Sequence, residues 1–413
     1  MKILLIHMYF SDKYYTGINP IVYGTYRTLN EQGDEVYVYA HDVKPYIDEN
    51  YKYSKYFPKS VFIWDVEHTP KNVSAYRRSF IYNKEAVNNL EKLLDEIKPD
   101  LVHIHVTCCM SFGILKPIKK RKIPIVYSVH DISAFCPSVF MVGTNICNEC
   151  RGYNTFPCIR KNCGKKMLRS IFSAFRNFTD RLLGSQKDID LYLAVSEATK
   201  QYLIKSGLNQ DKIKVLPNFV DKQTMEKGIN TEIKSGDYFF YAGGVAEIKG
   251  LYTLLETMKS LPRDINLHLA GSGDYEKIKE FIKENNLENI KILGTLTKEQ
   301  MQKEYENCIC VLMPSEWFET FGMINIEAAV WGKPSVSSNI GGLSNVVENE
   351  KTGLIFEPKN KEQLKECILK YWNNRDLALQ HGRAAREKVL SQYSEDIYFN
   401  RLREIYKEAI EKR

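Results

Sequence analysis

Two glutamates stand eight positions apart around a glycine in Ser315-Glu-Trp-Phe-Glu319-Thr-Phe-Gly322-Met-Ile-Asn-Ile-Glu327. The apolar run Cys308–Met313 before them reads as a buried strand, ended by Pro314 and Ser315. Ile324, Ile326, Ala328, Ala329 and Val330 then supply an apolar helical surface, and Gly332-Lys-Pro334 punctuates its end. A strand, a short loop and a helix start mark where open α/β sheets place ligands. The N–H groups that a first helical turn leaves over, near Thr320 to Met323, can hold an anion or hydroxyls. Glu319 falls in the loop between the apolar segments; if both carboxylates lie on or beside the helix, 1.5 Å of rise per residue sets them roughly 12 Å apart. That spacing suits two ends of one long polar ligand better than one shared proton.

Other reactive side chains lie elsewhere in the chain. Val129-His130-Asp131 follows a strand near Ile123–Tyr127, which places His130 at a strand's C-terminal end. Lys249 sits in Gly243-Gly-Val-Ala-Glu-Ile-Lys249-Gly250. Five of ten cysteines crowd together: Cys136, Cys147, Cys150, Cys158 and Cys163. Cys147-Asn-Glu-Cys150 has the spacing of a metal knuckle, and Cys158 with Cys163 supplies a second pair. In a cytoplasmic protein such thiolates most often hold structural zinc; an iron–sulfur cluster and separate thiols are the alternatives. Cys108, Cys109, Cys308, Cys310 and Cys367 read as small core residues. From Lys165 to Phe178, Leu168, Ile171, Phe172, Phe175 and Phe178 share one helical face, with Lys165, Lys166, Arg169 and Arg176 around it. Such a helix fits an anionic membrane interface or the flank of the first sheet equally well. Lys119-Lys-Arg-Lys122 adds a basic patch or a solvated loop.

The elements that must position these groups alternate from end to end. Strands are expected at Ile3–Tyr9, Glu35–Ala40, Leu101–Val106, Ile123–Val129, Leu191–Val195 and Ile213–Leu216. A second series is expected at Tyr238–Ala242, Ile265–Ala270, Ile290–Leu293, Cys308–Met313 and Ser335–Ser338. Helices are expected at Asn83–Ile97, Leu251–Lys259, Tyr275–Glu284, Lys361–Asn373 and Tyr393–Arg413. Alternation implies parallel sheets covered on both faces, so the fold class is α/β with two doubly wound, Rossmann-like domains facing across a cleft. At 413 residues the chain has room for both. The boundaries drawn are 1–218, with the cysteine-rich insertion 136–163 and a packed-back helix 394–413, and 219–393. A charged fraction of 26% and the lack of any run of eighteen apolar residues argue for a soluble protein. The first residues read as a buried strand, not a signal peptide, which points to the cytoplasm. The net charge of +7 favours anionic partners, a phosphorylated substrate or an acidic membrane face. No aromatic-interleaved basic strand points to nucleic acid.

Several motifs in this order resemble one known family. They are Gly243–Gly250, Ala270-Gly-Ser-Gly273, Glu319-x7-Glu327, Gly341-Gly342-Leu343 with Thr352-Gly353-Leu354, Val195-Ser196 and Leu216-Pro217-Asn218. The chain is similar over nearly its whole length to the retaining family 4 glycosyltransferases of GT-B architecture, in the subset with a cysteine-rich insertion after the His-Asp motif and Cys136-Pro137. The resemblance implies a nucleotide-sugar donor held mainly by the second domain and an acceptor held mainly by the first. It gives Lys249 the donor diphosphate, Glu319 the transferred sugar and Glu327 the ribose hydroxyls. It gives the amides from Thr320 through Phe321, Gly322 and Met323, with Gly243, Gly244 and Gly17, the surrounding contacts. His130 is placed at the cleft with Asp131 orienting it or touching acceptor. No catalytic metal is implied, and no Asp-x-Asp run is present. Many relatives carry an arginine where Gly244 stands; Arg78 or another cation would have to replace it.

The function expected is therefore hexosyl transfer to a glycan acceptor, lipid-linked in surface polysaccharide or lipopolysaccharide assembly, at the inner face of the cell membrane. The alternatives are a soluble small-molecule acceptor, a sugar-nucleotide epimerase or hydrolase, and a non-catalytic donor-binding partner subunit.

Overall fold

The computed structural model describes residues 1–7, 10, 17–43, 61–66, 82–107, 110–132, 135–136, 149–150, 154–163, 166–183 and 187–412. Cys147, Arg78, Thr16, Lys165, Cys108, Cys109 and Pro137 lie outside these residues.

Two all-parallel sheets carry the chain. The first is built from β1 (Lys2–His7), β2 (Glu35–Val43), β3 (Val61–Val66), β4 (Leu101–Ile104), β5 (Ile125–Val129), β6 (Leu191–Ala194) and β7 (Ile213–Val215). Its spatial order is β3-β2-β1-β4-β5-β6-β7. The second uses β8 (Tyr238–Ala242), β9 (Asn266–Ala270), β10 (Ile290–Gly294), β11 (Cys308–Met313), β12 (Ser335–Ser338) and β13 (Gly353–Phe356). Its order is β10-β9-β8-β11-β12-β13. The two doubly wound domains expected from the alternation are present. Two strands were not foreseen. β3 lies between long polar stretches, and β13 is only four residues long, so neither shows much periodicity.

Both faces of each sheet are covered, as parallel strands require. In β1, Leu4 and Ile6 enter one core with Leu90, Leu94 and Ile97 of the helix Lys84–Ile97. Ile3 and Leu5 enter another with Phe399, Leu402 and Tyr406 of the helix Glu395–Glu411. In β8, Phe239 and Tyr241 face one core, and Phe240 and Ala242 the other. Helix ends carry the caps their sequences specify. Thr297 and Gln300 close a reciprocal capping box on Lys298–Asn307, and Asn83 Oδ1 accepts from Ala86 N–H at 3.0 Å.

The helix Met167–Leu183 turns the usual pattern outward. Leu168 is 82% exposed and Phe175 53%, and Ile171 and Leu182 are also exposed. Ser170, Asn177, Asp180 and Arg181 are buried instead. Arg181 Nη2 donates to the Cys150 carbonyl at 2.9 Å, and Arg181 Nε to Asn177 Oδ1 at 3.1 Å. Of the expected apolar face, Phe172 and Phe178 are half-buried while Leu168, Ile171 and Phe175 are exposed.

The chain crosses between the domains twice, side by side. Val220 N–H donates to the Tyr393 carbonyl at 2.9 Å. Beside that crossing, Glu395 is buried and takes three donors: Thr28 Oγ1 at 2.6 Å, the Arg27 guanidinium, and Lys222 N–H at 2.8 Å. Removing a buried acceptor strands its donors, at about 1–3 kcal/mol for each dominant loss. Glu395→Ala is therefore expected to lower unfolding free energy by roughly 2–3 kcal/mol, read as a shifted urea midpoint with an unchanged slope.

Candidate active site

Open parallel sheets bind ligands beyond the carboxyl ends of their strands, where the strand order reverses. In the second sheet that point lies between β8 and β11. The loop after β8 carries Lys249, and the loop after β11 carries Glu319. Gly250 brings the two together. Its φ is +70°, and a Cβ there would stand 1.7 Å from the Pro314 carbonyl oxygen, so no other residue lets the loops approach this closely.

The result is one carboxylate oxygen with three donors. Glu319 Oε1 accepts from Lys249 Nζ at 2.5 Å, Trp317 Nε1 at 2.7 Å and Ser315 Oγ at 2.9 Å. Lys249 Nζ also sits 4.7 Å from the Trp317 ring centroid, within cation–π range. Gly341 and Gly342 hold the same loop from behind. Gly342 N–H donates to the Glu319 carbonyl at 2.6 Å, and a Cβ on Gly341, at φ +57°, would fall 2.1 Å from that oxygen. The helix starts at Met323, with Gly322 at its N-cap, so Glu319 lies in the loop and only Glu327 on the helix. The two carboxylates have separate surroundings. Glu327 Oε2 accepts from Tyr305 OH at 2.8 Å. Burial lifts its carboxyl from the ordinary 4.5 to about 7, although the Tyr305 bond and Lys298 pull the other way.

The loop also reaches into the first domain. Phe318 is buried there against Tyr202, with ring centroids 5.7 Å apart. Thr320 Oγ1 donates to the His130 carbonyl at 2.6 Å, while the Thr320 carbonyl accepts from Ser196 Oγ at 2.6 Å. His130 is thus joined to the Glu319 loop across the cleft. Behind it stand His7, His103 and His105, at the carboxyl ends of β1 and β4, where the first sheet reverses its order. Burial lowers His130 to about 4 and His7 and His103 to about 3, and holds His105 well below its usual value, so all four rings are neutral at pH 7.

The sequence profile of Glycosyltransferase Family 4 matches residues 15–224, and that of the group 1 glycosyl transferases matches residues 222–388. The chain belongs to Glycosyltransferase Family 4. An uncharacterized glycosyltransferase of Methanocaldococcus jannaschii is 32% identical over 194 residues, 43% of this chain and 54% of that protein. O-antigen chain mannosyltransferase C of Escherichia coli is 24% identical over 213 residues, 50% of this chain and 55% of that protein. The aligned part thus spans about half the length of these curated relatives. Among solved structures, Anabaena HepE in complex with UDP and glucose superposes with a TM-score of 0.69 at 16% identity, over 98% of this chain and 100% of that one. The likeness to HepE is one of fold.

In this family 4 chain Lys249, Glu319, Thr320 and His130 come together. Gly17 precedes the helix Asn19–Glu31 at φ +67°, and Asp131 is half-buried beside His130. Gly243 and Gly244 follow β8; Gly243 N–H donates to the Ala270 carbonyl, and the Gly244 carbonyl accepts from Tyr241 OH. Phe321 packs edge-on against Tyr393, and Met323 lies between cores of both domains. Of the five expected metal ligands, Cys136, Cys150, Cys158 and Cys163 are described and Cys147 is not. Among the described residues no three His, Cys, Asp or Glu side chains gather as metal ligands would. Cys158 is buried with Sγ 3.8 Å from the Ser170 carbonyl, and Cys150 Sγ lies 3.9 Å from that of Thr155. Sequence reasoning passed over His7, His103 and His105, although His103-Ile-His105 at the end of an apolar strand was a usable signal.

A carboxyl whose folded-state pKa exceeds its unfolded one binds its proton more tightly when folded. Glu327 therefore lowers stability progressively as pH rises from about 4.5 through about 7. Part of the residue is exposed, so solvent screens some of that cost. Glu327→Gln is expected to be about 1–2 kcal/mol more stable than the parent at pH 8 and equal to it near pH 4. Urea midpoints at both pH values check the difference, and a gap that does not grow with pH contradicts it.

Proposed function

We propose that this chain is a retaining hexosyltransferase that moves a sugar from a nucleoside-diphosphate donor to a glycan acceptor. The observation that carries this reading is the Lys249–Glu319 pair at the β8/β11 reversal. A cation and a carboxylate are already aligned there, and a sugar diphosphate needs both. The diphosphate draws Lys249 away from Glu319, and the ammonium balances charge that grows on the leaving group as the glycosidic bond breaks. Glu319 keeps the Ser315 and Trp317 donors, so it stays oriented toward the sugar. Glu327 takes the ribose hydroxyls, and the amides of Thr320, Phe321, Gly322 and Met323 line the path between. His130, Asp131 and Gly17 face this assembly from the first domain. Residues 1–218 then form the acceptor domain and 219–393 the donor domain. HepE binds UDP and glucose, which supports a uridine nucleotide as the first donor to try. The mannosyltransferase relative supports an O-antigen-like acceptor.

UDP and UDP-glucose are expected to stabilise the chain by about 2.7 kcal/mol at 100 times their dissociation constant. Glu319→Ala should retain the UDP effect yet slow transfer about 100-fold or more. An unchanged transfer rate removes Glu319 from catalysis. Binding without any transfer favours a donor-binding partner subunit.

A lipid-linked acceptor at a membrane face is supported by the outward apolar stripe of Leu168, Ile171, Phe175 and Leu182, flanked by exposed Lys166 and Arg169. No described helix is long and apolar enough to cross a membrane, so contact would be peripheral. An apolar stripe edged with cations matches an anionic bilayer surface, with about 1 kcal/mol from each basic residue. Co-sedimentation with phosphatidylglycerol vesicles should be strong for the parent and at least tenfold weaker for the double variant Leu168→Glu, Phe175→Glu. Equal sedimentation of the two excludes this face.

A further inference from the structure

His105 Nδ1 lies 3.0 Å from His130 Nε2, and the two rings are nearly parallel, 14° apart with centroids at 5.3 Å. Both rings are neutral at pH 7, so in this bond one must donate and the other accept. Each ring has one nitrogen left over. His105 Nε2 and His130 Nδ1 are both buried, and neither has a hydrogen-bond partner among the described residues. If His130 donates through Nε2, the remaining His105 proton sits on Nε2 as a buried N–H with nothing to accept it. If His105 donates through Nδ1, its leftover nitrogen is only a lone pair, and the unmatched proton falls on His130. A buried N–H without an acceptor is the rarer defect, and His130 lies at the seam where its own carbonyl already meets Thr320. Both nitrogens are closed in this state, but His130 keeps 7% of its surface exposed against 1% for His105, so a substrate oxygen at the seam meets a proton on His130 before one on His105.

His105 is itself immobilised. Its ring lies 4.0 Å, centroid to centroid, from that of His103. His103 Nδ1 meets Tyr406 OH at 2.6 Å, and Nε2 meets Ser128 Oγ at 2.8 Å. The line of contacts therefore runs from the helix Glu395–Glu411 through two histidines to the cleft.

We propose that His105 is a positioning residue for His130: its Nδ1–H···Nε2 bond holds the His130 ring in place and fixes the proton on Nδ1. His130 then acts toward the substrates as a hydrogen-bond donor, to a hydroxyl or phosphate oxygen. It cannot be the base for the acceptor, because its one basic nitrogen is already occupied by His105. The identity of the oxygen rests on the transfer reading above; the tautomer does not.

Selective ¹⁵N-histidine labelling of the whole chain tests this without any substrate, with the His130 signals assigned through His130→Gln. In the parent, Nδ1 of His130 should resonate as a protonated nitrogen and Nε2 as a bare one. His105→Asn places an amide N–H near the lost Nδ1 and should preserve that pattern. His105→Gln reaches to the other side of the ring, and His105→Leu has no donor, so both should shift the His130 proton to Nε2. A His130 proton on Nε2 in the parent, or a parent-like spectrum in His105→Leu, overturns the proposal. A variant that fails to fold is exposed by its melting curve, and the parent spectrum decides the tautomer alone. A failed transfer assay leaves this result standing, so the two readings fail separately.

Discussion

One loop belongs by sequence to the second sheet and by packing to the first. Trp317 and Phe318 follow β11, yet they pack into the core of the first domain. Thr320 spans the seam with both its hydroxyl and its carbonyl engaged. The backbone of the Glu319 loop is therefore tied to both domains, while the Glu319 carboxylate is held by Lys249, Ser315 and Trp317 of its own domain. Burial of a phenylalanine ring is non-directional and worth a few kcal/mol, while the hydrogen bonds beside it supply direction.

The two carboxylates of the candidate site show how environment divides like groups. Glu319 is surrounded by donors, including a cation, so its charge is met within the protein. Glu327 has a phenol and a largely apolar setting, and its ionised form is disfavoured until a ligand or a higher pH compensates. The histidines behind the cleft follow the same logic. Four rings at the ends of adjacent strands stay uncharged because desolvation lowers each of them, and their histidine neighbours lower His7, His103 and His105 further.

The sheet architecture and the Glu319 loop were legible because strand periodicity and glycine punctuation are local properties. Gly250 and Gly341 were visible as motif glycines, but what they permit, close approach to Pro314 and to the Glu319 carbonyl, is tertiary. The resemblance put Lys249 and Glu319 on one donor, but their direct ion pair was not legible, since 70 positions separate them and the β8/β11 neighbourhood joins them. The cysteine spacing suggested a metal knuckle, but spacing does not fix where a thiol points; Cys158, for one, is buried with its Sγ toward the Ser170 carbonyl. The helix Met167–Leu183 had a readable apolar face, but which way that face turns is set by its buried Arg181 and Asn177.

The Glu395 junction has a consequence for the order in which the molecule is made. Thr28 and Glu395 are 367 positions apart, and the helix Glu395–Glu411 shares one face of the first sheet with the helix Asn19–Glu31. During synthesis the strands β1 to β7 emerge early, with Ile3, Leu5, Val126 and Leu193 on a face that still lacks Phe399, Leu402 and Tyr406. The second domain can close its own two cores meanwhile. The first domain, begun earlier, is finished later, and until then its open apolar face is a surface for chaperones or for aggregation.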